Sequence, residues 1–175
     1  MTGAGWITLV ILGLVTAERL AELALARRNT AALLAAGARE CSARHYPLIV
    51  LLHALWLLGL WILAWERPII WPFLAIFVLL QGLRIWVLAT LGRRWTTRII
   101  VVPGETLVRR GPYRFLSHPN YAVVVGEIAC LPLVFGLVWY ALLFSILNAG
   151  VLWVRIRAEE RALAAGGAGV SRAQG

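Results

Sequence analysis

The sequence predicts an all-α integral membrane bundle of about five transmembrane helices, with the N-terminus outside and the C-terminus cytoplasmic. Three observations lead there. First, 61% of the 175 residues are hydrophobic and only 14% are charged, and the mean hydropathy is +0.81. An average soluble domain is roughly 45–50% apolar and about 25% charged. Second, apolar runs of about bilayer length recur, separated by clusters of Arg, Gly and Pro. Third, the charge is one-sided: 17 basic residues, all Arg, face 8 acidic residues, all Glu, for a formal net charge of +9. In so apolar a chain that excess points to anionic lipid and an orientation signal, and no nucleic-acid partner is expected. The length leaves room for one domain, residues 1–175.

The first helix is expected over roughly 5–26. Trp6–Ala17 has the length of a signal-peptide core but lacks a basic leader, and Glu18-Arg19-Leu20-Ala21-Glu22 follows it where a cleavage site would stand. It is therefore read as a retained helix. The next spans are expected at 47–65 and 69–91, around the short Glu66-Arg67-Pro68 turn. From Tyr121 to Val154 runs a 34-residue apolar stretch, too long for one crossing at 1.5 Å per residue. Pro132 and Gly136 divide it into spans at 121–135 and 137–154. Orientation follows from Arg placement: segments 27–46, 92–120 and 155–175 hold 4, 6 and 4, whereas the N-terminus, the 66–68 turn and the turn at 136 hold 0, 1 and 0. The tail 164–175 (AAGGAGVSRAQG) is expected to be disordered. The Ala- and Arg-rich, Lys-free composition points to a GC-rich bacterial genome, hence to a multi-pass protein of a bacterial cytoplasmic (inner) membrane. Cys41 and Cys130 have neither metal nor disulfide spacing, so no metal is expected.

A charge at the bilayer centre costs about 2.5–3.5 kcal/mol, so Glu18, Arg19, Glu22, His53, Gln81, Arg84 and Glu127 need partners or a polar cavity. Glu18 and Glu22 share one helical face and are expected to pair with Arg84 across helices. His53 is read either as a packing residue or, with Arg84, as part of a substrate pocket. Glu127 is a candidate for lining that pocket as a proton acceptor. The connection from Arg93 to Asn120 is the only long one, and Arg109 to Tyr121 concentrates Arg, Tyr, His and turn residues just before a span. Two readings fit: a loop that binds a polar, partly anionic cofactor, or a basic stop sequence gripping lipid phosphates. Farther on, Arg155 and Glu159 stand at i, i+4 as the last helix leaves the bilayer. An Arg for an acidic group and a Glu for an amine or ribose hydroxyl, on one rim, suit a zwitterionic nucleoside cofactor.

Gly111-Pro112-Tyr113, His118-Pro119-Asn120-Tyr121 and, one hairpin later, Arg155…Glu159-Glu160 resemble the motifs of the isoprenylcysteine carboxyl methyltransferase family, integral membrane enzymes that use S-adenosylmethionine. The resemblance covers about 90–163. It implies cofactor contacts at Arg98, Glu105, Thr106, Leu107, Val108, Tyr113, His118, Pro119, Asn120, Tyr121 and Glu159. It also implies that Arg155 faces the substrate; the cost of polar groups in the bilayer adds Arg84 and His53 to the expected acceptor pocket, and Arg155 and Glu127 are the catalytic candidates. One position departs: where the family has Arg before His-Pro this chain has Ser117, and Arg114 or Arg98 is expected to supply the cation. The N-terminal half, with Glu18-Arg19…Glu22, Arg27-Arg28-Asn29 and His45-Tyr46, looks like the short bacterial branch, which includes O-methyltransferases of long-chain alkylresorcinols and alkylpyrones. A lipid-like small-molecule acceptor is the partner this implies. Membrane sterol or enone reductases using NADPH and phospholipid N-methyltransferases look similar in the loop alone, and a non-enzymatic lipid-binding protein is the remaining alternative.

Overall fold

A computed structural model describes residues 3–41, 46–102 and 108–172, with side chains described for 5–41, 46–102 and 108–162. Five helices form an all-α bundle: α1 (Gly3–Ala35), α2 (Tyr46–Leu63), α3 (Trp71–Leu91), α4 (Pro119–Val134) and α5 (Val138–Arg172). Among the described residues, Tyr46–Leu63, Trp71–Arg94 and Val138–Ala162 are long and apolar enough to cross a bilayer, and α4 is a shorter apolar helix. The tail from Ala164, expected to be disordered, instead continues the backbone of α5 as helix to Arg172, its side chains lying outside the description.

Each boundary has a local cause. Proline stands in the first turn of both α3 and α4, where its missing N–H costs nothing. At the far end of α4 the chain closes a Schellman turn. Leu137 N–H donates to the Pro132 carbonyl and Gly136 N–H to that of Leu133, both at 3.0 Å, with Gly136 at φ +68°. This is the reversal that Pro132 and Gly136 predict. The hairpin is central: α4 packs most extensively against α3 and α5.

The inward stripe of α1 is mixed. Thr8, Leu12, Val15, Glu22, Ala26 and Asn29, spaced by threes, fours and one seven, face inward, while Val10, Leu14 and Leu20 face out. Polar Thr8, Glu22 and Asn29 thus turn inward among apolar neighbours while large apolar side chains lie on the outer face, as expected when the surroundings are hydrocarbon. The inward charges are paired. Buried Arg84 donates through Nε to Glu127 Oε1 at 2.7 Å and through Nη1 to Glu22 Oε1 at 3.2 Å, and its Nη2 pairs with Glu127 Oε2. Arg19 adds bonds to Glu22 Oε2 at 2.9 Å and to Glu127 Oε1 at 3.1 Å, and Gln81 donates to the same Glu127 oxygen at 3.0 Å. Glu22 is the partner of Arg84, while Glu18 stands 3.8 Å from Arg19 at the edge of the network. The cluster ties α1 to α3 and α4.

At one end of the bundle the connections interlock. Strands β1 (Arg39–Cys41) and β2 (Ile99–Val101) pair antiparallel, Glu40 opposite Ile100, so the α1–α2 and α3–α4 connections meet. Asn29 reaches from α1 to donate to the carbonyls of Gly92 at 3.1 Å and Trp95 at 2.8 Å. Tyr46 shares a 3.1 Å hydrogen bond with Thr97, whose carbonyl accepts from Arg155 of α5 at 2.8 Å. The three Arg-rich segments therefore share one rim.

Candidate functional site

The interlocked rim encloses an open cavity of about 780 Å³, within the usual range for small-molecule sites. Its walls come from every rim element: Leu33 of α1, Trp95 and Thr96 after α3, β2, the turn Gly111–Arg114, the start of α4, and Arg155 and Glu159 of α5. Gly111 lets the turn seat against α3. Its φ is +58°, and a Cβ there would lie 2.4 Å from Thr90 Oγ1. Pro119 opens α4, placing His118, Asn120 and Tyr121 at the mouth of that helix.

Inside, one hydrogen-bonded chain joins the loop to α5. Arg155, 8% exposed, donates through Nε to the Tyr121 hydroxyl at 2.9 Å, and that hydroxyl donates to Glu159 Oε2 at 2.5 Å. The second anchor of Arg155 is the Thr97 carbonyl, and its guanidinium also lies 5.7 Å from the Tyr121 ring centroid. His118 stacks on Tyr121 with centroids 5.2 Å apart, and its Nδ1 is 3.9 Å from Glu159. Burial, and secondarily the Glu159 charge, push the Tyr113 phenol up to about 12. Tyr113 is thus a neutral hydrogen-bond donor throughout the physiological range. Two polar atoms in the wall, Asn120 Oδ1 and Trp95 Nε1, are buried without a partner among the described residues. A buried polar atom left unpaired costs about 1–3 kcal/mol, so a ligand that pairs with them recovers that cost.

The structure brings together Arg98, Val108, Tyr113, His118, Asn120, Tyr121, Arg155 and Glu159, all of which line this cavity. Glu105, Thr106 and Leu107 lie outside the described residues. Pro119 is buried in the helix start and shapes the site without lining it. Arg98 lines the wall but is held on Glu40 at 2.8 Å and over the Tyr46 ring at 4.9 Å, so of the two expected substitutes for an Arg at Ser117, Arg114 has the freer guanidinium. Glu127, Arg84 and His53 do not line the cavity. Both carboxylate oxygens of Glu127 are engaged by Arg84, Arg19 and Gln81, and His53 Nδ1 donates to the Ile49 carbonyl one turn back at 2.9 Å. Trp95, Leu33 and Thr97 escape a reading by motif. Trp95 carries no signal beyond the cluster Arg93-Arg94-Trp95, and Leu33 and Thr97 contribute an ordinary side chain and a backbone carbonyl.

Comparison with known proteins agrees with this geometry. Residues 73–165, from α3 through the site-bearing part of α5, match the isoprenylcysteine carboxyl methyltransferase (ICMT) family. The chain is 42% identical over 159 residues to the uncharacterized protein YpbQ of Bacillus subtilis (strain 168), an alignment spanning 88% of this chain and 95% of that one. It is 26% identical over 155 residues to an uncharacterized protein of Haemophilus influenzae (strain ATCC 51907 / DSM 11121 / KW20 / Rd), spanning 85% and 90%. No solved structure matches the chain. With more than half its length matched, and the cavity built chiefly from that half, the chain belongs to the isoprenylcysteine carboxyl methyltransferase family, a family of membrane methyltransferases.

Proposed function

We propose that the chain, acting as one domain, is an S-adenosylmethionine-dependent O-methyltransferase of a bacterial inner membrane. Its three Arg-rich segments are cytoplasmic. The acceptor is amphiphilic and lipid-like, either an isoprenylcysteine-type carboxylate or the hydroxyl of a long-chain alkylresorcinol or alkylpyrone. The observation that carries this reading is the Arg155–Tyr121–Glu159 chain inside a rim cavity. The wall residues fit the cofactor. Glu159 suits an amine or ribose hydroxyls, the Arg114 guanidinium an amino-acid carboxylate, and the unpaired Asn120 and Trp95 atoms an acceptor and a donor for the remaining polar edge.

When bound, S-adenosylmethionine supplies an electrophilic methyl group on a sulfonium. The protein's task is alignment and exclusion of water. Arg155, fixed at Nε and Nη2, keeps Nη1 for the acceptor oxygen. A carboxylate acceptor is ionised at neutral pH and needs no base. A phenol, with a pKa near 10, must lose a proton, and His118, on the cavity wall with Glu159 behind it, is the group placed to take it.

Calorimetric titration of the detergent-purified protein with S-adenosylhomocysteine, with NADPH in parallel, tests the reading. Saturable binding of the nucleoside product, weakened about ten-fold or more by Glu159→Ala, is expected. Binding of NADPH alone would move the chain to reductase chemistry. Binding of neither by folded protein would remove the enzymatic reading.

A further inference from the structure

We infer that the segment from Arg109 to Leu116 is a receptor for anionic phospholipid headgroups, seated at the membrane boundary on the outer side of the cavity wall. Phe115 and Leu116 are neighbours in sequence, 73% and 50% exposed, in the short link between the turn Gly111–Arg114 and α4. The turn is anchored on the last turn of α3 at Thr90, and α4 begins just beyond. The pair thus stands level with the ends of two apolar helices, where acyl chains give way to headgroups. An exposed Phe-Leu pair there has hydrocarbon for its solvent.

Three arginines precede the pair in the same segment. Arg109, Arg110 and Arg114 are all exposed, and Arg114 stands 6.0 Å from the Phe115 ring centroid. None of the three pairs with a carboxylate among the described residues. Guanidiniums with no carboxylate partner among the described residues, beside exposed apolar side chains, match a phosphodiester above an acyl chain. The patch is far narrower than a stable protein interface. It is positive, and the helices on either side of it, α3 and α4, carry exposed apolar side chains of their own at Trp86 and Val125, so the occupant is lipid.

The same loop faces two ways. Arg109, Tyr113, Arg114, Ser117 and His118 line the cavity, while Arg110, Phe115 and Leu116 do not. Headgroups that hold the outer face therefore hold the inner one, and by linkage a cavity ligand tightens headgroup binding equally. The headgroup site rests on Arg110, Phe115 and Leu116, which lie off the cavity, while Arg114 borders both sites; the coupling rests on the proposed methyltransferase reading.

Two measurements in nanodiscs test this. In a Cys41→Ser, Cys130→Ser background, a bimane on Leu116→Cys is quenched by headgroup-spin-labelled lipid. Labelled phosphatidylglycerol should quench at least about two-fold more than labelled phosphatidylcholine at equal mole fraction. Equal quenching would overturn the inference, as would loss of the preference on adding millimolar inorganic phosphate, which would make the site a receptor for soluble anions. In the second measurement S-adenosylhomocysteine should bind about five-fold more tightly in discs containing phosphatidylglycerol than in pure phosphatidylcholine. The Arg110→Gln, Phe115→Ser double variant should lose that gain and keep the phosphatidylcholine affinity. Equal affinities in the two discs would overturn the coupling. Preferential quenching with no nucleoside binding in either disc would support the headgroup site and count against methyl transfer.

Discussion

Arg155 owes its position to being an arginine rather than merely a cation. Its planar fork meets two acceptors of different origin, the Tyr121 hydroxyl and the Thr97 carbonyl, and the same guanidinium lies 5.7 Å from the Tyr121 ring centroid. A lysine would keep the charge and lose the two-point hold. Arg155→Lys should therefore lower kcat/KM by about 10- to 100-fold, the loss of one or two charge-assisted hydrogen bonds. S-adenosylhomocysteine affinity should change by less than about three-fold, because Glu159 keeps its bond from Tyr121. Turnover at the wild-type level would show that Arg155 does not face the acceptor.

At the scale of elements, the network around Glu127 sets how α1 is held. Removing one member leaves its partners charged in a low-dielectric interior, which typically costs about 3–5 kcal/mol. Arg84→Met should accordingly lower the thermal midpoint sharply in detergent. Adding Glu127→Leu should restore much of the loss, since apolar replacement of a whole pair is nearly neutral. A single variant as stable as the wild type would mean that α1 is held by packing alone. Helices α2 and α3 and the α4–α5 hairpin were legible because apolar runs of bilayer length admit one solution and because Pro132 with Gly136 names its own turn, whereas α1, expected to end near 26, runs on to Ala35 through a polar stretch that hydropathy does not mark as helix. The Arg84–Glu22 pair was legible too, from charges needing partners in hydrocarbon. The third member was not: the sequence shows that Glu127 needs a partner but not that Arg84 can serve two carboxylates at once. Strands β1 and β2 were also out of reach, since three residues are too few to show a period of two. At the site, the residues sitting in motifs were readable, whereas Asn29 acts on the rim from a helix 63 and 66 residues earlier in the chain, through backbone carbonyls that no side-chain pattern records.

The whole molecule is polarised. Arg27, Arg39, Arg98, Arg110 and Arg157 belong to segments that meet at the cavity rim, while the opposite rim closes on the Ile70–Val134 backbone bond and holds Arg67. If the cavity rim is cytoplasmic, a membrane-impermeant maleimide applied to intact cells should label Arg67→Cys and spare Arg161→Cys, in a chain lacking Cys41 and Cys130. The reverse pattern would invert the topology and place the cofactor site outside. The network has a last consequence, for the birth of the chain. Glu22 and Arg19 leave the ribosome first, yet Glu127, which completes their neutralisation, lies 108 residues beyond Arg19. At about 5–20 residues per second that is a delay of about 5–20 s. Through it α1 has only bridges of its own making among the described residues, Arg19 to Glu22 at 2.9 Å and to Glu18 at 3.8 Å, so Arg19 is a self-supplied counterion for the helix's two carboxylates. The first helix to be made is thus the last to be finished, and a chain stalled before α4 should present α1 to the membrane's quality-control proteases as an unassembled, charged segment.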